Sequence, residues 1–538
     1  MHQDKESKYM VRKKVQVWLP LIFSVVMILG MVIGYKLREN TSGGDSFLKN
    51  NDRTPLEQAI SLIQNKYVDK VHLDSLESPA INGLLDHLDP HSVYIPASDV
   101  ESMNEDLQGG FQGIGVEFQM IKDTVNVMNV IPDGPSFKAG VEIGDKIIEV
   151  NNKFNLTGKN ISTDDVRKQL RGPANSTVNI TVLRNNQKKD IKIIRGNIPL
   201  YSLDAAYMLD SSTGYIKLNK FSETTYQEFM SAMEKLQKQH MQQLILDLRD
   251  NGGGIMQEAV AIADEFLDGN KLIVYTQGLH SPRQDYPSTK EGVFEKGKLV
   301  VLVNETSASA SEILAGALQD WNRATIIGRR TFGKGLVQQQ FMLSDGSELR
   351  LTIARYYTPV GRNIQKPYNK GKEQYEEELM NRFHDGEVVI GDTAKPKGQA
   401  FKTPNGHLVY GGGGIMPDIF VPYDTTSQPK AVIQLYMKNT ITNFVYNYYI
   451  EHRNQLQQFK SPDELYKQFH FSEADWQQFV NFAKNDSTDI SKLPASAKIF
   501  VLTQMQNLLA RQMWRTEGYF ELSNENDPMI KKALEVLK

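Results

Sequence analysis

The segment LVVLVNETSASASEILAGALQDW, residues 299–321, decides how this chain folds. Its first five residues form an unbroken apolar run, which is typical of a short strand buried on both faces. From Ile313 to Trp321, apolar residues recur at helical spacing and predict one buried stripe. The segment therefore predicts a strand that passes through a short polar junction into a helix.

Three serines, Ser307, Ser309 and Ser311, lie at that junction. The N-terminus of a helix carries positive potential and free N–H donors. A nucleophile placed there would therefore have donors nearby for a developing oxyanion. For any one of these serines, the alternative is a helix N-cap, in which the hydroxyl only accepts a backbone hydrogen bond.

The same alternation of strand and helix extends through residues 212–360. Continuous apolar strands followed by helices are typical of a buried, parallel α/β sheet. The predicted strands are 244–249, 272–276, 299–304, 324–328 and 349–358, and the predicted helices are 224–239, 255–267 and 309–321.

A glycine-rich loop, DLRDNGGG (247–254), follows the first of these strands. Glycines allow backbone N–H groups to turn into a cleft, which suits an oxyanion hole. The alternative is a phosphate-binding loop. It is disfavoured because no Lys-Ser or Lys-Thr pair follows the last glycine.

A second glycine-flanked segment, TFGKGLVQQQ (331–340), places Lys334 between Gly333 and Gly335. Close backbone packing at these glycines would steer the amine, whereas a lysine considered alone is more often a solvated surface residue. No histidine lies within these segments or in an HExxH motif, so the sequence offers no competing base in motif form.

Residues 108–195 alternate short β-like runs with glycine-rich turns and predict a compact β-rich module. Within FQGIGVEF (111–118), glycines precede a strand, and such a loop can bind an anion through its backbone N–H groups. The alternative is that these glycines only form tight turns.

Two further stretches, GPSFKAGVEIGDKIIEVNN (134–152) and LRGPANSTVNITVLR (170–184), make this module resemble a PDZ domain. A PDZ domain binds a peptide as an added strand and receives its terminal carboxylate in a glycine-rich loop. The resemblance implies that Gly113, Ile114 and Gly115 form that carboxylate-binding loop.

Residues 15–35 form an apolar run about as long as the ~20 residues that cross a bilayer core. Lysine and arginine are concentrated before the run, so residues 1–14 are predicted to be cytoplasmic and the body extracytoplasmic or periplasmic. A cleaved signal peptide is the alternative, but no A-x-A-like site follows the run. We therefore predict an uncleaved single transmembrane helix joined to the body by a linker, 36–53.

The other segments are assigned from their amino-acid composition and residue pattern. Residues 54–107 predict a helical segment that begins at a capping box of Thr54 and Glu57. Residues 196–425 contain the α/β core, interrupted by a polar, loop-rich insertion at 366–410. Residues 426–538 predict a polar, helical C-terminal region whose sequence indicates no function.

The composition limits the number of domains, the class of partner and the kinds of catalytic side chain. With 538 residues the chain predicts roughly three to four domains, and its net charge of −3 argues against nucleic acid as a partner. Cysteine is absent, which excludes disulfides, a thiol nucleophile and cysteine-ligated zinc or iron–sulfur sites. Any covalent catalysis must therefore use another side chain.

Together these segments resemble the carboxy-terminal processing, or tail-specific, serine peptidases. The resemblance runs from about 55 to 425 and includes LDPHSVYI (88–95) and RYYTPVGRNIQ (355–365). It implies an α/β protease core of parallel βαβ units, similar to ClpP and crotonase, with an inserted PDZ domain. It also implies a serine endopeptidase that recognises the C-terminal tails of polypeptides and requires no metal or cofactor.

The resemblance also implies roles for individual residues. Ser309 would be the nucleophile, Lys334 the base and Gln338 the residue that orients the amine. Burial can lower the pKa of a lysine from near 10.4 to about 7–8, and the neutral amine can then accept the serine proton. The oxyanion hole would use the backbone N–H groups of Ala310 and of Gly252 or Gly253.

The sequence also leaves alternatives open. One is a catalytically silent PDZ scaffold that binds peptides without turnover. An acyl-CoA-type enzyme on a similar fold is disfavoured by the PDZ stretch and the Ser–Lys pair. The insertion between Gln365 and GGGGIMPDI (411–419) departs from the family pattern and leaves substrate access open. Expected partners are polypeptide tails and the membrane, with a homo-oligomer also possible.

Overall fold

The chain divides into two compact units, Met1–Glu77 and Ser78–Lys538. The structure is a computed structural model. It describes residues 20, 23–33, 36, 54–72, 74–159, 161–391, 398–423 and 429–538.

The first unit contains helix α1 (Pro55–Lys66), whose capping box confirms the prediction. The Thr54 hydroxyl accepts the N–H of Glu57 (3.4 Å), and the Glu57 carboxylate accepts the N–H of Thr54 (2.7 Å). None of the residues within α1 is buried. Helix α2 (Asp74–Leu85) follows, as expected for a helical segment.

The predicted transmembrane span, 15–35, is only partly described. Residues 23–33 of it are helical and exposed, and the rest of the span, except Pro20, lies outside the described residues. Among the described residues, no helix has both the length and the apolar character needed to cross a bilayer.

The elements of the β-rich module and those just before it are, in chain order, β1 (Val93–Ile95), α3 (Ala97–Gln108), β2 (Gly110–Gly113), β3 (Val116–Ile121), β4 (Thr124–Val130), α4 (Pro135–Ala139), β5 (Lys146–Val150), β6 (Phe154–Asn155), α5 (Thr163–Leu170), β7 (Thr177–Arg184), β8 (Gln187–Ile194) and β9 (Gly196–Pro199). The module forms an antiparallel sheet with the order β3-β4-β5-β7-β8, in which β6 pairs with β5. Strand β3 therefore forms one edge of the sheet, while β2 pairs separately with β9.

The elements of the α/β core are β10 (Leu203–Met208), β11 (Thr213–Leu218), α6 (Thr225–Gln237), β12 (Gln243–Asp247), α7 (Met256–Asp264), β13 (Leu272–Gln277), β14 (Gln284–Pro287), β15 (Lys298–Val303), α8 (Ala310–Asp320), β16 (Thr325–Gly328), β17 (Leu336–Met342), β18 (Glu348–Tyr357) and β21 (Ile419–Phe420). The core is built on a sheet with the order β10-β11-β12-β15-β16-β21. Only β10 is antiparallel to its neighbour among these sheet strands.

Parallel pairing of β12 with β15 brings the predicted loops together. Asp247 at the end of β12 is level with Leu302 near the end of β15. The glycine-rich loop and the serine junction therefore leave the sheet side by side at one edge. Leu246, Val301 and Leu314 lie fully buried in the apolar cluster between this sheet and its helices.

Two strands predicted for the parallel sheet lie elsewhere, so that part of the prediction is wrong. β13 and β18 belong to a separate antiparallel sheet with the order β1-β18-β13-β14, in which β17 also pairs with β18. A turn at Gly346, which has φ +85°, folds β17 back onto β18. An apolar run records burial but not the direction of the neighbouring strand.

The predicted loop-rich insertion is more ordered than expected. Its elements are α9 (Lys372–His384), α10 (Glu387–Ile390), β19 (Ala400–Lys402) and β20 (Leu408–Tyr410). The charged run KEQYEEEL opens α9 because glutamate, glutamine and lysine are good helix formers. Tyr375 and Arg382 of α9 are nonetheless buried.

The helical C-terminal region contains α11 (Lys430–Met437), α12 (Thr440–Leu456), α13 (Pro462–Gln468), α14 (Glu473–Asn485), α15 (Ala495–Asn524) and α16 (Pro528–Leu537), as predicted. Helix α12 contacts the β-rich module, where the Tyr446 hydroxyl donates to the Val127 carbonyl (3.2 Å). Helix α16 packs Ile530 and Ala533 against Ile245 and Val300 of the α/β sheet. The region therefore contacts both preceding modules.

Candidate active site

The residues predicted as nucleophile, base and orienting amide lie in one cavity of about 550 Å³. Ser309 comes from the start of α8, Lys334 precedes β17, and Gln338 lies on β17. Gly252 lines the same cavity. The fold thus joins three segments that are distant in sequence.

The three junction serines differ sharply in their contacts. Ser307 and Ser311 are fully buried, and their hydroxyls donate to the carbonyls of Leu248 (2.8 Å) and Asn251 (2.9 Å). These two serines fasten the start of α8 to the glycine-rich loop. Ser309, which is only partly buried, faces the cavity. Ser309 is the N-cap of α8 and forms a capping box with Glu312, but of the three serines it is the one that faces the cavity.

Ser309 also has an unusual backbone conformation, with φ 55° and ψ −115°. Positive φ is uncommon for residues other than glycine and often marks a functional site. The conformation is held on both sides. The Ser309 N–H donates to Glu312 Oε2 (2.9 Å), and its carbonyl accepts from the Tyr356 hydroxyl (3.2 Å).

Lys334 is partly buried and is held through Gln338. Its Nζ donates to Gln338 Oε1 (3.1 Å), and Gln338 Nε2 donates to the carbonyl of His91 (2.5 Å). Burial lowers the pKa of Lys334, and the positive charge of Arg350 lowers it further, although Glu312 and Asp89 oppose the shift. Among the hydrogen bonds of the described residues, Lys334 Nζ contacts Gln338 and not Ser309 Oγ.

The sequence reasoning missed Glu312, which links the serine junction to the lysine loop. Its buried carboxylate accepts from the N–H groups of Ser309 (2.9 Å), Gly333 (2.8 Å) and Lys334 (2.8 Å), and from the Thr331 hydroxyl (2.5 Å). Burial raises the pKa of Glu312, and these hydrogen bonds oppose the shift. The S-x-x-E spacing from Ser309, a capping-box signal, pointed to it.

The predicted oxyanion residues surround Ser309. A Cβ atom on Gly253 would lie 2.6 Å from Ser309 Cβ and 2.9 Å from the Ala310 nitrogen, so this close approach requires glycine. The Gly253 N–H donates to Asn251 Oδ1 (2.9 Å) and is therefore already bonded. Gly252 has open space on its Cβ side and lines the cavity.

His91 is a second residue near the site that the sequence reasoning left without a role. Its Nε2 lies 2.8 Å from the Tyr375 hydroxyl. Burial lowers the pKa of His91 to about 4, and the charge of Lys334 contributes, so the ring is neutral at neutral pH. The motif LDPHSVYI, which carries it, was the available signal.

The predicted carboxylate-binding loop begins at Gly113, the last residue of β2, and leads into the edge strand β3. Gly115 has φ +76°, which favours glycine, and Ile114 is buried. The carbonyls of Ile114 and Gly115 accept the N–H groups of Ser136 (2.9 Å) and Ile131 (3.1 Å). The loop is thus anchored through its carbonyls at the start of an edge strand.

A second cavity, of about 260 Å³, offers no comparable chemistry. Its charged residues are already paired, as in Arg329 with Glu305 (2.7 Å) and Arg330 with Glu387 (2.7 Å). In the part of the chain that the structure describes, no cluster of three or more histidine or carboxylate side chains is placed to hold a metal ion.

Profiles of known families match four parts of the chain. Peptidase family S41 matches residues 212–372 and the PDZ domain matches 112–194. The N-terminal domain of the activating protease CtpB matches 36–99, and a family of unknown function matches 431–515.

Curated relatives agree with these profiles. A "Probable CtpA-like serine protease" of Staphylococcus aureus (strain COL) is 33% identical over 371 residues, covering 68% of this chain and 73% of the relative. The protein with the same description in Staphylococcus epidermidis is 33% identical over 369 residues, covering 67% and 73%. The solved photosystem II D1 C-terminal processing protease is 30% identical, with a TM-score of 0.35, covering 59% of this chain and 85% of that one.

The extent of the match to these relatives, with the S41 profile on the α/β core and the PDZ profile on the β-rich module, establishes the family. The chain belongs to peptidase family S41 and is a serine-type C-terminal processing peptidase that carries a PDZ domain.

Proposed function

We propose that this chain is an endopeptidase that uses Ser309 as nucleophile and Lys334 as general base. The observation that carries the proposal is the cavity that Ser309 shares with Lys334, a partly buried lysine whose pKa is lowered. Burial disfavours the ammonium form, so a neutral amine is accessible closer to neutral pH than in a solvated lysine.

In the proposed reaction, the Ser309 oxygen bonds to the scissile carbonyl carbon while its proton passes to Lys334 Nζ. The resulting ammonium then protonates the amine that leaves as the peptide bond breaks. Water next attacks the acyl-serine ester and gives a proton to Lys334, and the ammonium returns that proton to Ser309 Oγ as the ester C–O bond breaks. Because Nζ contacts Gln338 in this structure, the amine must turn toward Ser309, a rearrangement common between free and substrate-bound enzymes.

The proposed oxyanion hole combines the Ala310 N–H at the start of α8 with the Gly252 N–H. Backbone donors placed where negative charge develops stabilise the transition state more than the ground state. Gly253, the other candidate, would have to release Asn251 Oδ1 before its N–H could contribute.

For the PDZ domain, we propose that it binds a substrate's C-terminal tail. The tail would pair with edge strand β3, and its carboxylate would meet the loop of Gly113, Ile114 and Gly115. The unpaired edge and the anchored glycine loop support this mode. A substrate with a carboxamide in place of its terminal carboxylate should be cut at least about tenfold less efficiently. Equal cutting of both forms would rule out carboxylate recognition.

We also propose that residues 15–35 anchor the protein, with the body outside the cytoplasm. The length of the apolar run and the basic residues before it support this topology. Protease added to intact cells with a permeable outer envelope should digest the body, and fractionation should recover the chain with membranes. Recovery of the chain in the soluble fraction would contradict anchoring.

The catalytic assignment is tested by hydrolysis of a loosely folded protein with an apolar C-terminus. Ser309→Ala and Lys334→Ala should each abolish cleavage, and Gln338→Ala should reduce it, while Met342→Ala, at an exposed position on β17 outside the cavity, serves as the control. A catalytically silent scaffold would instead bind the tail without turnover and resist serine-directed fluorophosphonate labelling. Full activity of Ser309→Ala would exclude Ser309 as nucleophile.

A further inference from the structure

Helix α9 of the insertion packs behind the segment that presents the proposed general base. We call residues 330–335 the base loop. Tyr375 and Arg382 lie on the buried side of α9, each about 3% exposed, whereas Glu376 and Glu377 lie on its exposed side. A polar helix that buries an arginine and a tyrosine against this loop has a more specific role than that of a spacer.

Arg382 binds the start of the base loop through its backbone. Its Nη1 donates to the carbonyls of Arg330 (3.1 Å) and Thr331 (2.8 Å), and its Nη2 donates to the carbonyl of Phe332 (3.1 Å). One planar guanidinium thereby fixes the orientation of consecutive peptide units just before Gly333 and Lys334. Lysine cannot reproduce this fork of donors.

Glu378 keeps Arg382 in place. It accepts from Arg382 Nε (2.9 Å), Lys366 Nζ (3.0 Å) and Arg330 Nη2 (3.1 Å). The buried guanidinium therefore has a counter-charge on its own helix, one turn earlier.

Tyr375 acts on the other side of Lys334, through His91 and Gln338. Its hydroxyl lies 2.8 Å from His91 Nε2, and its ring meets the His91 ring edge-on at 5.2 Å. The backbone carbonyl of His91 holds Gln338 Nε2, and Gln338 Oε1 holds Lys334 Nζ. A continuous chain of contacts thus runs from α9 to the amine.

We propose that α9 positions the general base, with Arg382 setting the backbone of the base loop and Tyr375 setting the side chain of Gln338 through His91. Both are positioning residues, since neither lines the cavity that contains Ser309. The inference rests on the proposed function, because it takes Lys334 as the base.

This role has a specific kinetic consequence. A displacement of about 1 Å in a reacting group can cost on the order of 100-fold in rate, without loss of substrate binding. A looser base loop also admits water to Lys334, whose surroundings include Arg350, Glu312, Asp89 and the neutral His91. Better solvation of the ammonium raises the pKa of Lys334, so the rising limb of the pH–rate profile moves to higher pH.

The test compares the full-length chain in detergent with Tyr375→Phe and Arg382→Lys. The first keeps the buried ring and the second keeps the positive charge, so each removes mainly the hydrogen bonds in question. Two variants in the same insertion serve as matched controls, Glu377→Gln and Tyr368→Phe. The Glu377 side chain is exposed, and the Tyr368 hydroxyl accepts a hydrogen bond from Arg355 (3.3 Å), which lies outside the base loop. The measurements are kcat and KM on a fluorogenic peptide from about pH 6 to pH 10, with fluorophosphonate labelling to count intact sites.

We expect kcat to fall about 10- to 100-fold in both variants, with KM changed less than about twofold and part of the loss recovered at high pH. The controls should match the parent chain. An unchanged kcat and pH profile in Tyr375→Phe would overturn the inference. It would also be overturned if kcat fell by the same factor at every pH and that factor matched the fraction of sites lost from labelling. Ser309→Ala is measured in parallel to separate failure of this inference from failure of the proposed function. Hydrolysis by Ser309→Ala would refute Ser309 as the nucleophile, whatever α9 does.

Discussion

At the scale of single residues, Ser309 combines exposure to the cavity with a backbone conformation that suits glycine better than serine. Positive φ costs a residue with a Cβ atom on the order of 1–3 kcal/mol, and the surrounding contacts must hold it. Glu312 and Tyr356 provide those contacts. The proposed nucleophile is therefore presented at the expense of local stability.

A glycine at this position should therefore stabilise the fold while ending catalysis. We expect the free energy of unfolding of Ser309→Gly to exceed that of Ser309→Ala by about 1 kcal/mol in urea titrations, because only glycine relieves the backbone strain. At Ser98, within helix α3, the alanine variant should instead have the higher free energy of unfolding, since glycine weakens a helix. An alanine variant at 309 as stable as the glycine variant would contradict the strain.

Glu312 is the residue on which both halves of the site depend. In Glu312→Gln, an amide NH₂ group would face N–H donors, leaving buried groups unpaired. We expect a loss of about 2–4 kcal/mol in the free energy of unfolding and a fall in kcat of at least about 100-fold. Urea unfolding and peptide hydrolysis measure the two effects, with the exposed Glu376→Gln as the unaffected control. Wild-type stability of Glu312→Gln would show that the carboxylate is not required.

At the scale of elements, local pattern predicted strands and helices well but not their partners. The runs around 272–276 and 349–358 are strands, as their apolar residues indicated, yet they pair antiparallel because the turn at Gly346 closes a hairpin. The run of glycines at 252–254 predicted a loop. Only the folded structure shows that the absence of a Cβ atom on Gly253 leaves room for Ser309. Contacts between distant segments, such as Tyr375 with His91, leave no periodic signal in sequence.

Helix α9 also predicts a dependence of stability on pH. Burial opposes ionisation of Glu378, but Arg382 and Lys366 dominate and lower its pKa from 4.5 to about 2. A carboxyl whose pKa is lowered by folding stabilises the protein above its unfolded pKa, and this contribution is lost between about pH 4.5 and pH 2. Glu378 is partly exposed, so solvent screening reduces the contribution to about 1–2 kcal/mol.

Accordingly, Glu378→Gln should unfold about 1–2 kcal/mol more easily than the parent chain at pH 7, and the difference should shrink toward about pH 3. Urea unfolding at several pH values measures this change. The exposed variant Glu377→Gln is the matched control on the same helix. A difference that stayed constant with pH would show that charge pairing at Glu378 is not its cause.

At the scale of the whole molecule, the C-terminal region completes the protease core. Helix α16 covers the face of the sheet opposite α6, α7 and α8, with Ile530 and Ala533 against Ile245 and Val300. Arg249, next to the glycine-rich loop, donates to Asp527 at the start of α16 (2.5 Å). The region for which the sequence indicated no function is thus an integral layer of the core.

Truncating a buried side chain on α16 should therefore lower the free energy of unfolding as much as truncating one in the central sheet. We expect Ile530→Ala to lower the free energy of unfolding by about 2–5 kcal/mol, similar to Ile245→Ala. Ile499→Ala on α15 serves as the control, since that side chain is 64% exposed. Independent melting of the C-terminal region, without effect on the core, would contradict this arrangement.

The position of α16 has a consequence for how the enzyme is made. Strand β21 leaves the ribosome about a hundred residues before α16, so one face of the sheet stays uncovered during that interval. Because a domain folds as a unit once its contacts are available, we expect the core to be finished only after α16 has been translated. A nascent chain would then carry Ser309 and Lys334 without a completed scaffold. Each copy would gain proteolytic power only once α16 has left the ribosome and packed onto the sheet.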